Sequence, residues 1–199
     1  MGSIGGNSKQ NTKSQTKNLA LGAIFTALVV VLQLLGSFIR FGPFSVSLVL
    51  VPIVLGAALC NYKIGGWLGF AFGLAVLLSG DAAAFLAVNA LGTVITVLLK
   101  GLLCGAAAGL VYKLLEKRNR YLAVMSAAVV CPVVNTGIFL LGCLLFFMET
   151  ITEWGTGLGF SSAGEYMFLG LAGGNFLFEL AANIVLAPVI LKVISLAKK

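Results

Sequence analysis

Apolar residues run along this chain in long blocks, which short polar or basic links separate. A helix of about twenty apolar residues crosses the hydrocarbon core of a bilayer. The polar and apolar alternation over about ten positions that marks a membrane β-barrel is absent from the chain. The very short link NYKIGG leaves open that the third block is tilted or half-buried. The pattern predicts an all-α integral membrane protein, a bundle of six transmembrane helices at residues 18–36, 45–61, 64–80, 88–115, 120–147 and 171–196.

The composition supports the membrane assignment and a single domain. Hydrophobic residues make up 60% of the chain and charged residues 10%, with a mean hydropathy of +1.09. A soluble domain of this size needs more charged residues on its surface. Residues 1–17 are polar, basic and rich in Gly and Ser, which predicts a flexible N-terminal tail before a membrane domain at residues 18–199. The apolar block after the tail lacks a convincing small-residue cleavage site, which argues against a signal peptide.

Lysine and arginine residues set the predicted orientation. With six crossings, most of them fall on the side that holds both chain termini, and the positive-inside rule makes that side cytoplasmic. We therefore expect a multi-pass protein of the bacterial cytoplasmic membrane with cytoplasmic N- and C-termini. The net charge of +7 then reflects topology and gives no sign of nucleic-acid binding. The residues concerned are Lys9, Lys13, Lys17, Lys63, Lys113, Lys117, Arg118, Arg120, Lys192, Lys198 and Lys199.

Several kinds of chemistry are disfavoured by what the sequence lacks. The chain has no histidine, and its four cysteines lie within or beside apolar blocks without a CxxC pair. Such cysteines usually act as small hydrophobic residues, so we expect neither a metal site nor a cofactor. The apolar blocks hold no clustered pair of Asp or Glu and no nucleophile beside a plausible base, so we expect no enzymatic activity.

Two apolar blocks carry polar residues at helical spacing. In the last block, residues 175, 179 and 183 fall at i, i+4 and i+8 and share one helix face. The fourth block has a similar polar stripe from Asn89 through Thr93 and Thr96 to Lys100. A charge in the middle of a membrane costs several kcal/mol unless it is paired or hydrated. Lys100 and Glu179 are therefore expected to face the protein interior at similar depth, as an ion pair or around a polar ligand.

Both a structural and a functional interpretation of these stripes remain open. Polar residues hold membrane helices together by hydrogen bonds, but intramembrane charges more often mark a functional site. The binding interpretation is favoured because the stripes approach the non-cytoplasmic side, where the loop GSFIRFGPFS and a long loop before the last helix meet them. The candidate substrate-binding residues are Arg40, Asn89, Thr93, Lys100, Asn135, Asn175 and Glu179.

The long loop contributes candidate lid residues. Trp154, Phe160 and Tyr166 lie in or next to the segment ETITEWGTGLGFSSAGEY. Long loops in compact proteins often act as lids, so these aromatic side chains are expected to cover a bound solute. The alternative is that they are ordinary interfacial aromatics.

Small residues recur on three predicted helices. Glycines repeat every fourth position at 65, 69 and 73 and at 101, 105 and 109, which predicts close packing of helices. The first helix carries Ala20, Ala23 and Ala27 on one stripe near its cytoplasmic end. This alanine face is a candidate docking surface for another protein.

Taken together, these features resemble the substrate-binding S components of energy-coupling-factor (ECF) vitamin transporters. The resemblance covers residues 18–197 and rests on the basic tail, the Ala-x-x-x-Ala stripe, the two outer loops and the segments CPVVNTGIF and NFLFELAANIVLAPVI. It implies high-affinity binding of one vitamin or precursor from outside. It also implies assembly with a transmembrane T component and two ATPase subunits, with the T component contacting Ala23 and Ala27 and with Ala20 adjacent.

The sequence restricts the chemical class of the ligand but does not identify the ligand. The entry to the second helix, FSVSLVLVP, lacks the charged Lys-x-Asp-like pattern of riboflavin-type members, which argues against riboflavin. The polar candidates suit a small ligand with hydroxyl, amide or carboxylate groups; pantothenate is the first candidate, and a pyridoxine- or pyrimidine-like ring is the next. A stand-alone solute carrier or channel subunit is the alternative function, and an intramembrane enzyme is less favoured.

Overall fold

The described part of the chain folds as a helical bundle with two very short strands. The computed structural model describes residues 4–37, 40–41, 44–45 and 48–197, and for 4–14, 40–41 and 44–45 it describes the backbone only. Strands β1 (Arg40–Phe41) and β2 (Phe44–Ser45) pair antiparallel. The helices are α1 (Ile4–Gly36), α2 (Leu50–Leu59), α3 (Tyr62–Ser79), α4 (Ala83–Val88), α5 (Ala90–Leu115), α6 (Arg120–Phe146), α7 (Met148–Gly157), α8 (Ala163–Glu165) and α9 (Gly174–Ala197).

Helices α8 and α9 belong to one continuous helix, which we call the last helix. A π-helical segment, Tyr166–Gly173, joins them, so that the helix runs without a break from Ala163 to Ala197. A π-helical turn is wider than an α-helical turn and is often found at functional sites. Here it ends two residues before Asn175, and its wider turn changes the direction in which the side chains of Asn175 and Glu179 project from the helix.

In the described part of the chain, five helices are long and apolar enough to cross a membrane. They are Gln15–Gly36, Tyr62–Ser79, Ala90–Leu115, Arg120–Phe146 and Ala163–Ala197. The second of the six predicted spans, at residues 45–61, is shorter than expected. Helix α2 has 10 residues, or about 15 Å of helix, against a hydrocarbon core of about 30 Å. The short element is thus the second block. The third, for which the sequence leaves open a tilted or half-buried segment, is a helix of 18 residues.

Helix α2 lies in the centre of the bundle. Leu50, Ile53 and Val54 are at most 1% exposed, and the helix packs against α1, α3, α5, α6 and α9. An apolar helix of about 10–14 residues is more often a buried core element than a membrane span. This explains why the segment is apolar on every side although the helix is too short to span a bilayer by itself.

Two further boundaries differ from the sequence-based expectation. Helix α1 begins at Ile4, so the backbone of the expected tail is helical from that residue onward. The long loop expected before the last helix is mostly helical, because α7 occupies Met148–Gly157. Helix α7 is amphipathic: Ile151 and Gly155 are buried, while Thr152 and Glu153 are exposed. One apolar face is enough to hold it on the bundle as a surface helix.

Different parts of the chain meet at the two ends of the bundle. At the terminal end, Lys17 Nζ donates a hydrogen bond of 3.4 Å to the carbonyl of Ala197, so the start of the first span lies beside the end of the last. At the opposite, distal end, Gln33 near the end of α1 contacts Asp81 in the α3–α4 turn. Helices α4 and α7 meet at the distal end too, where the rings of Phe85 and Trp154 are 5.5 Å apart.

Glycines bring α3 and α5 into direct backbone contact. A Cβ atom added to Gly69 would overlap the carbonyl of Gly101, and one added to Gly65 would overlap that of Gly105. The predicted role of the glycine repeats in close helix packing is confirmed at these positions. The close approach fixes the position of Lys100, which precedes one of these glycines on α5.

Candidate functional site

Polar side chains from five elements meet in a cavity near the distal end. The cavity has a volume of about 110 Å³, which is enough for several water molecules or part of a small solute. Its apolar wall is formed largely by the rings of Phe72, Phe85, Phe139 and Phe147. Its polar lining consists of Gln33, Asp81, Thr93, Thr96, Lys100, Asn135, Thr136, Asn175 and Glu179.

Glu179 is the most enclosed charged residue of the cavity, with 2% of its surface exposed. One carboxylate oxygen, Oε1, accepts a hydrogen bond of 3.2 Å from Asn175 Nδ2, one turn earlier on the same helix. The other, Oε2, accepts a hydrogen bond of 3.4 Å from Asn135 Nδ2 on α6. Asn183, one turn later, donates from Nδ2 to the backbone carbonyl of Glu179 at 2.8 Å. The predicted stripe on the last helix thus forms one hydrogen-bonded group.

Lys100 is held by aromatic rings. Its ammonium nitrogen lies 5.5 Å from the ring centroid of Phe72 on α3 and 5.5 Å from that of Phe139 on α6. Both distances fall in the range of cation–π attraction, which is stronger where water is excluded. Lys100 therefore contacts two rings and Glu179 contacts amides, while both side chains face the same cavity.

Three polar atoms of the cavity lining have no hydrogen-bond partner within the described residues. They are Thr96 Oγ1, Asn135 Oδ1 and Asn175 Oδ1, and each is shielded from bulk solvent. An unsatisfied buried polar atom costs about 1–3 kcal/mol. The cavity is therefore suited to a solute or ordered waters that hydrogen-bond to these atoms.

A contact that the sequence did not reveal lies between α1 and the α3–α4 turn. Gln33 is 2% exposed and donates from Nε2 to Asp81 Oδ2 at 2.6 Å, and both residues line the cavity. A signal was present for each residue: Gln33 interrupts the apolar run VVVLQLLG, and Asp81 is the first acidic residue in the chain. The phenylalanine wall was missed too, since an apolar residue type does not separate a cavity wall from ordinary core.

Five of the seven predicted substrate-binding residues line the cavity: Thr93, Lys100, Asn135, Asn175 and Glu179. The structure places Asn89 elsewhere. It is the N-cap of α5, and its side chain accepts a hydrogen bond of 2.9 Å from the backbone N–H of Gly92. Asparagine often satisfies the first amides of a helix in this way. The side chain of Arg40 lies outside the described residues.

The predicted lid residues form a layer behind the cavity wall. Trp154 on α7 packs edge-on against Phe85, whose own ring lines the cavity. Phe160 and Tyr166 pack on each other with ring centroids 5.2 Å apart. None of the three lines the cavity directly. The segment that the sequence predicts to be an open loop contains α7, which carries Trp154 against Phe85 on α4.

The alanine stripe lies on the surface of the bundle. Ala20, Ala23 and Ala27 are all exposed on α1, next to large exposed aliphatic residues such as Ile24 and Leu28. The stripe is therefore accessible to lipid or to a partner helix.

The cysteines belong to the packing of the bundle. Cys104, Cys131 and Cys143 are buried, and none of the four is in a disulfide. Cys60 lies in the α2–α3 turn, where burial raises the pKa of its thiol and the Lys17 ammonium opposes that shift. Within the described residues, no group of three or more Cys, Asp or Glu side chains is arranged to hold a metal ion.

Comparison with known families agrees with this architecture. Residues 17–194 match the family described as ECF transporter, substrate-specific component. Comparisons with curated proteins and with solved structures gave no match. The matched region contains the five candidate spans except two residues at the start of the first and three at the end of the last, and it contains the whole cavity lining. The chain therefore belongs to the family of ECF transporter substrate-specific components, which are the membrane subunits that bind the transported substrate.

Proposed function

We propose that this protein binds a small, water-soluble vitamin or vitamin precursor with high affinity from outside the cell, for uptake by an ECF transporter. Pantothenate is the first candidate. The observation that carries the proposal is the distal cavity among the membrane helices. Its lining includes Lys100, Glu179 and three residues that each hold a buried polar atom without a partner within the described part of the chain. The protein makes and breaks no covalent bond of the ligand in this proposal.

The chemistry of the lining supports pantothenate. Lys100 offers N–H donors and a positive charge, which suit the carboxylate of the ligand. Thr96, Asn135 and Asn175 offer acceptors for hydroxyl and amide N–H groups. Pantothenate carries one carboxylate, one amide and two hydroxyls, so it has a partner for each kind of group.

A ring-shaped vitamin is the second candidate. The rings of Phe72, Phe85 and Phe139 line the cavity, and offset or edge-to-face contacts between aromatic rings stabilise binding by about 0.5–1.5 kcal/mol each. A pyridoxine- or pyrimidine-like ligand would use this wall and would hydrogen-bond to the same polar atoms.

The proposed orientation places the terminal end in the cytoplasm and the cavity toward the exterior. It is supported by exposed basic residues at the terminal end, including Lys17, Lys63, Lys113 and Lys192. Such an excess of lysine marks the cytoplasmic side of a membrane protein. The chain between Gly36 and Cys60, which includes the short helix α2, would then return from the distal end to the terminal end and make the sixth pass. In support, Cys60 Sγ lies 3.9 Å from the backbone carbonyl of Asn18 near the start of the first span.

The proposed partners are a transmembrane T component and two ATPase subunits. The family is a component of such transporters, and the exposed stripe of Ala20, Ala23 and Ala27 is the proposed contact with the T component. Small residues let helices approach closely within lipid. In the alternative, a stand-alone carrier, this stripe would face lipid only.

The direct test is to identify the ligand that the protein carries. Native mass spectrometry of protein extracted gently from membranes is expected to show one bound small molecule of vitamin size. Titration calorimetry of the emptied protein in detergent is expected to give saturable 1:1 binding of pantothenate, with riboflavin as the negative control. A protein that carries no molecule and binds none of a panel of water-soluble vitamins would contradict the proposal.

A further inference from the structure

We propose that Glu179 is a positioning residue whose carboxylate turns the amides of Asn135 and Asn175, so that their two carbonyl oxygens accept hydrogen bonds from a pair of donors on the ligand. The inference rests on the proposed function for the identity of the site as a solute site. It changes the role that the sequence suggests for Glu179, from direct contact with the ligand to orientation of the two neighbouring asparagine amides.

The geometry leaves Glu179 little capacity for the ligand. Each of its carboxylate oxygens already accepts a hydrogen bond from an asparagine amide, at 3.2 Å from Asn175 and at 3.4 Å from Asn135. Only 2% of the residue is exposed. Glu179 also lines the cavity, but its carboxylate is nearly enclosed and is hydrogen-bonded at both oxygens, so we infer that it acts mainly through the two amides.

The same hydrogen bonds decide which way each amide faces. An ionised carboxylate only accepts hydrogen bonds, and an asparagine amide has its donors on one side and its acceptor on the other. Because the Nδ2 groups of Asn135 and Asn175 both point to Glu179, their Oδ1 atoms point away from it. These oxygens are the atoms that lack a partner within the described residues, and both side chains line the cavity.

This arrangement specifies a class of ligand. The end of the ligand near Glu179 must carry two hydrogen-bond donors, from hydroxyl or N–H groups, to satisfy two carbonyl oxygens. A ligand with only acceptors at that end would leave the oxygens unpaired, at a cost of about 1–3 kcal/mol each. Elsewhere in the cavity, Lys100 favours a hydrogen-bond acceptor on the ligand, because an ammonium donates hydrogen bonds and never accepts them.

A double-mutant cycle with pantothenate as the probe tests the inference. In Glu179→Gln, the new amide has one donating side, so one asparagine must turn its carbonyl oxygen toward residue 179 and away from the ligand. We expect the affinity measured by calorimetry to fall by roughly tenfold or more. In Asn135→Leu we expect a similar loss, because one acceptor is missing.

The decisive result is the double variant. With Leu at position 135, the glutamine can keep its oxygen toward Asn175 and its amide toward the leucine, so Glu179→Gln should add little further loss. If Glu179 contacted the ligand directly, the two losses would multiply, and that result would overturn the inference. Asn183→Leu is the matched control: Asn183 is on the same helix and 1% exposed, but it donates to the backbone carbonyl of Glu179 and does not line the cavity. We expect it to leave the affinity unchanged.

A second measurement needs no ligand. In protein labelled with ¹⁵N-asparagine and held in detergent, the side-chain NH₂ signals of Asn135 and Asn175 are assigned from single substitutions. Glu179→Gln is expected to shift at least one of these two signals, while that of Asn183 stays in place. Unchanged signals for both Asn135 and Asn175 would overturn the positioning role even if no vitamin binds.

The two measurements separate this inference from the proposed function. If wild-type protein binds no vitamin, the proposed function is wrong, and so is the inferred requirement for two hydrogen-bond donors on the ligand. The NMR signals then decide whether Glu179 orients the asparagines. If wild-type protein binds pantothenate and the losses multiply, the proposed function stands and the positioning role is wrong.

Discussion

At the scale of single residues, the most informative feature is a lysine ammonium that lies between two aromatic rings. Lys100 reaches the ring faces of Phe72 and Phe139 at equal distances of 5.5 Å, among apolar helices. Ring faces attract a cation without supplying a hydrogen-bond acceptor. The N–H groups of Lys100 therefore keep capacity for an acceptor in the cavity, and a ligand carboxylate fits this requirement best.

Replacing Lys100 is expected to remove the preference for an anionic ligand. In Lys100→Met, the apolar stem is retained and the charge is lost, so affinity for pantothenate should fall by roughly tenfold to a hundredfold, as for a charge-assisted hydrogen bond. Calorimetry with pantothenol, the alcohol analogue of pantothenate, supplies the comparison. Wild type should prefer pantothenate and the variant should bind both about equally. An undiminished preference in the variant would mean that another group recognises the carboxylate.

Most of the candidate site could be predicted from helical spacing, and the exceptions have physical reasons. Asn175 and Glu179 are one turn apart, so their shared face follows from the period of the helix. The contact of Gln33 with Asp81 joins positions 48 apart in sequence, which no local pattern relates. Asn89 fits the spacing of its stripe, but α5 begins directly after it. The side chain of Asn89 therefore turns toward the unpaired backbone N–H groups of the first helical turn.

At the scale of helices, the α3–α5 pair depends on the absence of side chains at its contact. At Gly101 and Gly69 the two backbones are so close that a Cβ atom on either residue would overlap the carbonyl of the other. A larger side chain must push the helices apart, and such overpacking typically costs about 1–3 kcal/mol or more. The pair also carries Phe72 and Lys100, so its separation changes the site.

Two alanine substitutions of helical glycines are therefore expected to behave differently. Gly101→Ala should lower the thermal stability of the protein in detergent by several degrees or abolish extraction of folded protein. Gly137→Ala on α6 is the matched control, because a Cβ atom there meets nothing within 4 Å, and alanine favours a helix by about 1 kcal/mol over glycine. Fluorescence-detected thermal unfolding measures both, and equal melting temperatures for the two variants would contradict the packing argument.

The sequence predicted the existence of the long helices well and their environments poorly. Runs of apolar residues are enough to identify helices such as Ala90–Leu115 and Arg120–Phe146. The same apolar signal does not distinguish a helix surrounded by lipid from one surrounded by protein, and it therefore predicts a full-length span where α2 has only 10 residues. Helix α7 was missed for the opposite reason: its few apolar residues give a short pattern that resembles a polar loop.

At the scale of the whole molecule, the outer surface of the bundle is mostly aliphatic. Leu78, Leu91 and Leu145 are each at least 72% exposed, which is typical of helices that face lipid. Against this background, the stripe of Ala20, Ala23 and Ala27 offers a shallow surface on which another helix can lie. The molecule thus carries a candidate binding cavity toward one end and a candidate docking face beginning at the other.

The separation of cavity and docking face predicts that assembly and ligand binding respond to different substitutions. A tryptophan at position 23 fills the shallow stripe, so Ala23→Trp should abolish co-purification of the T component and the ATPase subunits and stop ATP-dependent uptake of pantothenate into proteoliposomes. The same variant should bind pantothenate in detergent with wild-type affinity, because Ala23 is exposed on α1 and is not part of the cavity lining. Val185→Trp is the matched control: Val185 is 72% exposed and lies on the last helix, not on the helix of the stripe, and the variant should keep both the complex and uptake. Uptake by the isolated wild-type protein without ATPases would instead favour a stand-alone carrier, and an intact complex in Ala23→Trp would show that the T component docks elsewhere.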